Sequence, residues 1–229
     1  MSVSASSPIT LLDVCIDVSH HNGIIDWAAV AGSGIQVAMI KATQGQGSTD
    51  PLWITNRDGA IAAGIQVIPY HFTNSDDPAA QAANLVQHCT PGQPYALDWE
   101  GVAGNTLSAT DLERLGSILS GQLGRPPLGY WGIPGSTPGS PTAAMDQWPR
   151  WVPRYRFPAP TPSFPAGTKL TAGVPCLFWQ YTSSGVVPGV NGPVDRSVAA
   201  FSSLGDLLTW YGRPPGDPSY IPPRPPPAR

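Results

Sequence analysis

The sequence predicts an α/β barrel, and two observations carry that expectation. From about residue 11 to residue 133, short apolar strands alternate with amphipathic helices. This is the pattern that yields parallel strands joined by right-handed crossovers. Beyond residue 134 the alternation stops. Residues 134–175 are crowded with Pro, Gly and Ser, and the segments that follow read mainly as strands. The expected architecture is therefore one TIM-like barrel, with helices missing from its second half.

The elements follow in order. "LLDVCIDVS" (11–19) reads as a strand, and "DWAAVAGSG" (26–34) as a short helix ending at Gly. "VAMIKAT" (37–43) is a strand; "DPLWITNRDGAIAAG" (50–64) is a helix opened by Asp-Pro and closed by Gly64. "QVIPYHF" (66–72) is a strand. In the helix expected over 76–89, Asp77 is an N-cap and Pro78 sits in the first turn, while Ala82, Leu85, Val86 and Cys89 form an inward stripe. "YALDWE" (95–100) reads as a strand of six residues. Ser108 and Asp111 resemble a capping box that opens a helix with Leu112, Leu115, Ile118 and Leu119 inward. Strands are expected at 128–133, 151–155 and 177–182, and a terminal helix around Val198–Trp210. The barrel should occupy residues 1–212. Residues 213–229 contain eight Pro in the last sixteen positions and are expected to form an extended tail outside the fold.

Composition excludes several functions. The chain has 229 residues, a net charge of −3 and no basic stripe, so nucleic acid is not an expected partner. No run of about 18 apolar residues predicts a membrane span. "MSVSASSPIT" lacks a basic region followed by an apolar run, so no export leader is expected. Such a protein would be made in the cytoplasm and reach an external substrate after release. Cys15, Cys89 and Cys176 are odd in number and widely spaced, which suits neither a disulfide framework nor a zinc site. The strands carrying Cys15 and Cys176 are expected to adjoin where the barrel closes, but three free thiols are the expected state. A monomer without cofactor or metal is expected.

The chemistry concentrates in "YALDWE". On a strand, alternate side chains share a face. Asp98 and Glu100 would then stand side by side with Ala96, while Tyr95, Leu97 and Trp99 face the other way. Neighbouring acids repel, which raises one pKa and keeps the other low. The expectation is that anionic Asp98 holds the proton of Glu100. By itself, Asp-x-Glu is often a solvated strand face. In an α/β barrel, however, functional groups collect at the C-terminal ends of the strands. Asp17, Lys41, His71, Asp98 and Glu100 arrive there from four strands. His20 and His71 read as structural hydrogen-bonding residues rather than acid-base groups. Tyr70, Trp131, Trp151, Tyr155 and Trp179 lie on or near strand ends, where aromatic rings fit either a core or a sugar-stacking surface.

"DVSHHNGIIDW", "IKATQG", "DPLWITNRDGAIAAG", "YHF", "QAANL", "LDWE", "FWQYT" and "GPVDRSVAAF" occur in an order that resembles glycoside hydrolase family 25, the Chalaropsis-type lysozymes, which include many bacteriophage endolysins. The likeness covers about residues 12–201. It implies a (β/α)5(β)3 barrel and hydrolysis of the β-1,4 bond between N-acetylmuramic acid and N-acetylglucosamine, with peptidoglycan glycan strands as partner. It implies Glu100 as general acid and Asp98 as its acidic partner, with Asp17 and Asp195 as the other two active-site acids. Asp195 has a second reading, as the N-cap of the terminal helix, and Asp17 a second reading as a turn acid. The chain departs from the family at Gln44, commonly Glu, at His21, commonly Trp, and at Trp99, commonly aliphatic. Residues 132–146 are short of the family's usual helix.

Glycosidases usually flank the scissile bond with two carboxylates. An i, i+2 pair approaches the sugar from one side, which better suits attack by the substrate's own 2-acetamido group, with net retention. Two other readings stay open. Asp17, His20, His71, Asp98 and Glu100 could ligate a metal in a barrel hydrolase, or the fold could bind glycan without turnover.

Overall fold

The computed structural model describes residues 10–132, 138–155, 176–201 and 203–212. The Pro-rich tail and all of 156–175 fall outside them. Nine strands are present: β1 (Thr10–Val18), β2 (Val37–Gln44), β3 (Ser48–Thr49), β4 (Gln66–Phe72), β5 (Ala96–Asp98), β6 (Leu128–Tyr130), β7 (Arg150–Pro153), β8 (Cys176–Gly185) and β9 (Val194–Phe201). Leaving aside the two-residue β3, which only pairs with β2, the order β1-β9-β8-β7-β6-β5-β4-β2 closes through β1–β2 into an eight-stranded barrel. All neighbours run parallel except β9, which is antiparallel to both β8 and β1. The first half is wrapped by α1 (Trp27–Gly32), α2 (Trp53–Ala62), α3 (Pro78–Val86) and α4 (Ala109–Leu123), and α5 (Leu204–Tyr211) follows β9.

Local chemistry explains the helix starts. Asp26 caps α1 by accepting from the N–H groups of Ala28 and Ala29, and Asp77 caps α3 by accepting from Ala80. Ser108 Oγ accepts from the Asp111 N–H at 3.1 Å and donates to its Oδ2 at 2.7 Å. The helix α2 begins at Trp53 rather than at Asp50, because Asp50 is drawn away. Its carboxylate accepts from the backbone N–H and Nδ1–H of His20 and from the Leu52 N–H. After β6, among the described residues, a 3-10 turn (Met145–Gln147) stands where a fifth helix would be. The Pro and Gly of this stretch suit no longer helix.

Two apolar layers follow from strand parity. Inside the barrel lie Cys15, Val37, Met39, Ile68, Ala96, Leu128, Trp151, Phe178 and Ala199. Between sheet and helices lie Ile16, Ala38, Val67, Leu97, Trp99, Leu112, Leu115 and Trp131, among others. Gly129, on the outward face of β6, allows this layer to close, since a Cβ there would meet the Trp131 ring at 1.9 Å.

Two expectations are corrected. Residues 194–201, read as the approach to and start of the terminal helix, form a strand, and the helix begins only at Leu204. A run buried on both faces shows little alternation, so it imitates helix. In consequence the strands of Cys15 and Cys176 do not adjoin, because β9 lies between them; all three cysteines are free thiols.

Candidate active site

The C-terminal ends of the parallel strands form one mouth, and β9, running the opposite way, brings its first residues to the same end. Asp17 and Asp195 are direct Cα partners across β1 and β9. Their carboxyls face each other within hydrogen-bonding reach and titrate together. Burial lifts Asp17 well above the ordinary carboxyl range; the charge of Asp195 adds to this, and an N–H donated by Gln180 opposes it. Asp195 is raised mainly by burial and lowered by its hydrogen bond with Asp17. Both carboxyls are therefore held above the ordinary range, and the pair shares a proton more readily than separate carboxyls would. Asp195 is thus not a helix cap, and Asp17, 7% exposed, is not a turn acid.

"YALDWE" takes a modified shape. Regular pairing ends at Asp98, with one further bond from the Trp99 N–H to the Tyr130 carbonyl, so the strand is half its expected length. The alternation survives. Tyr95, Leu97 and Trp99 pack outward, while Ala96 and Asp98 face inward. Asp98 is buried, and its Oδ1 has no hydrogen-bond partner among the described residues. Its backbone carbonyl is tied down by the N–H and Oγ1–H of Thr73. Glu100 is exposed and within hydrogen-bonding reach of Tyr130.

The expected electrostatic order is reversed in one respect. Burial, then the charge of Glu100, raises Asp98 well above its usual value, with Lys41 opposing. Glu100 is raised less, by desolvation and then by Asp195, with Tyr130 and Lys41 opposing. Both acids of the pair are therefore raised, and Asp98 is not the member kept low. Desolvation of an inward carboxyl outweighs the repulsion that was expected to favour Glu100.

Lys41 is the cation among these acids. Its Nζ donates to Gln44 Oε1 at 2.7 Å and sits 4.7 Å from the Phe72 ring centre. Burial lowers its pKa, while Asp98, Asp50 and Glu100 hold it up. Gln44 thus gives that ammonium an uncharged acceptor.

The other expected residues separate into two groups. Tyr70 and Trp151 face the barrel interior beneath the acids, with ring centres 6.1 Å apart, and Trp151 Nε1 donates to Ser197 Oγ at 3.0 Å. Tyr155 stands at the rim, 54% exposed, and donates to Gln180 Oε1 at 2.5 Å; burial pushes its phenol up to about 12. Trp131 and Trp179 point away from the mouth. Trp131 packs against Trp99 and Trp148 with the Arg150 guanidinium 3.6 Å over its ring, and Trp179 donates to the Arg154 carbonyl on the outer face of β8. At 1% and 2% exposure they are core, and the expectation that they stack on sugar is withdrawn.

The histidines are structural. His71 lies on the outward face of β4, where it accepts from Thr43 Oγ1 and donates to Gln81 Oε1, and burial lowers its pKa to about 4. The Nδ1–H of His20 is bound to buried Asp50 at 2.7 Å. Among the described residues no three His, Cys, Asp or Glu side chains are grouped as metal ligands. Tyr130 and Gln180 complete the mouth and were not anticipated. Their signal is a polar group on the same inward parity as Leu128 and Phe178.

The chain is similar in sequence and fold to known proteins. The sequence matches the family described as Glycosyl hydrolases family 25 over residues 16–190. It is 32% identical over 205 residues to Lysozyme M1 of Streptomyces globisporus, covering 80% of this chain and 66% of that protein, so the chain spans about two thirds of the relative's length. The fold superimposes on the bacterial lysozyme of Streptomyces coelicolor with a TM-score of 0.71 at 26% identity, covering 91% of this chain and 99% of that one. The catalytic domain of endolysin ply40 from bacteriophage P40 of Listeria monocytogenes shares the fold, at a TM-score of 0.65 and 21% identity, covering 91% and 100%. A family match over most of the chain and an acid-lined barrel mouth lead to one conclusion: the chain belongs to glycosyl hydrolase family 25 and is a glycosidase of the lysozyme type.

Proposed function

We propose that this protein is an N-acetylmuramidase that cleaves the β-1,4 bond between N-acetylmuramic acid and N-acetylglucosamine in peptidoglycan, with retention, by assistance from the substrate's 2-acetamido group. The observation that carries the mechanism is Asp98 Oδ1, a buried acceptor without a partner, beside an exposed second acid on the same side of the mouth. A buried, unmet acceptor is costly, and an acetamido N–H is a donor that would satisfy it. That bond would stabilise anionic Asp98 and pass the pair's proton to Glu100. Glu100 would then protonate the leaving glycosidic oxygen. As the acetamido oxygen attacks the anomeric carbon, positive charge develops on its nitrogen, and anionic Asp98 stabilises it. The Asp17–Asp195 pair, singly negative across the mouth, would favour the same charge. Tyr155 at the rim, and Tyr70 and Trp151 beneath the acids, would bound the sugar site. On this reading the protein acts on the bacterial wall.

Mass spectrometry of fragments released from purified peptidoglycan tests the bond assignment. Fragments should end in a reducing muramic acid. A reducing glucosamine would contradict the muramidase reading, and no release at all would favour a glycan-binding role.

A further inference from the structure

The side chain that ties most of the mouth together is Gln180, which has no charge and no reactivity of its own. It faces the barrel interior from β8 and is 2% exposed. Its Oε1 accepts from Tyr130 Oη at 2.8 Å and from Tyr155 Oη at 2.5 Å, while its Nε2 donates to Asp17 Oδ2 at 2.8 Å. One amide thus joins the exposed rim at Tyr155, the phenol that reaches Glu100, and the buried acid pair.

An amide has a donor end and an acceptor end. Two phenol hydroxyls occupy the acceptor end, which leaves the N–H for the carboxyl. A protonated carboxyl also has distinct ends, and its carbonyl oxygen accepts better than its hydroxyl oxygen. With Oδ2 taken by the Gln180 N–H, any proton of Asp17 belongs on Oδ1, free for Asp195. Without that constraint the proton of two facing carboxyls could rest on any of their oxygens.

We propose that Gln180 is a positioning residue: its amide fixes the Asp17 carboxyl through Oδ2, leaves Oδ1 to face Asp195, and stabilises the single negative charge that the Asp17–Asp195 pair carries. The orientation matters to catalysis only through the muramidase reading, in which Asp195 faces the proton donor. The arrangement itself does not depend on that reading. The other ionisable groups that act on the pair are Cys15 from β1, Tyr70 from β4, Asp98 and Glu100 at the end of β5, Tyr130 from β6 and Tyr155 after β7.

The test is a carboxyl-carbon NMR titration of aspartate-labelled protein without substrate, comparing wild type, Gln180→Met and Gln180→Glu. Gln180→Met removes the N–H that stabilises the pair's negative charge. The first ionisation of the pair should rise by about one pH unit, the size of one hydrogen bond to a charged group. Gln180→Glu keeps the shape and the acceptor for both phenols but adds a charge, and should raise it further. The acid limb of the kcat profile should move to higher pH in the same order. An unshifted titration in either folded variant would overturn the proposal. So would a lower activity with an unchanged pH profile, which is what a merely structural glutamine would give. If the muramidase reading failed instead, wild type would release no reducing muramic acid, while the titration would still decide the role of Gln180.

Discussion

Glu100→Gln is expected to lower kcat by roughly a hundredfold or more, the scale of general acid catalysis, while glycan binding persists. Glutamine keeps the length and hydrogen-bonding capacity of Glu100 but has no labile proton to give. Glu100 is exposed, and its hydrogen-bonding neighbour Tyr130 has Gln180 as a second partner. Folding should therefore be nearly unaffected, and a thermal melt close to wild type is part of the expectation. Near-normal turnover would show that another group protonates the leaving oxygen.

Asp98→Asn should lower kcat on a similar scale, about a hundredfold, as removal of one preorganised charge at a developing opposite charge commonly does. The asparagine carbonyl can still accept the acetamido N–H, so KM should change little. The pH profile carries the sharper consequence. In wild type the last proton of the Asp98–Glu100 pair is held against two carboxyls, and burial raises both. The active form persists until that raised pKa is passed. With Asp98 neutral, Glu100 alone holds the proton and releases it earlier, so the alkaline limb of kcat/KM should move to lower pH. An alkaline limb left in place would mean that the two carboxyls do not share their proton.

Much of this fold was legible because regular alternation is a local signal. The strands at 37–44 and 66–72 and the caps at Asp77 and Ser108 depend on neighbours within a few residues. The closing strand was not legible, since "VDRSVAAF" is buried or half-buried throughout and lies only a few residues before a helix. The acids Asp17, Asp98 and Glu100 stood out as charges at the ends of apolar runs, whereas Asp195 was signalled by the family resemblance. Strand parity explains the misread aromatics. Gln180 and Tyr130 point inward, so their neighbours Trp179 and Trp131 must point out. The order of proton affinities was beyond the sequence, because it turns on how deeply Asp98 is buried relative to Glu100, and that is set by the whole barrel.

The central claim is that two acids on one side of the mouth work with the substrate's own acetamido group as nucleophile. Proton NMR of the reducing end in the first moments of cleavage tests it most directly, before mutarotation mixes the anomers. The account predicts the β anomer of the new reducing muramic acid. First appearance of the α anomer would require water to attack from the opposite face, and would contradict it.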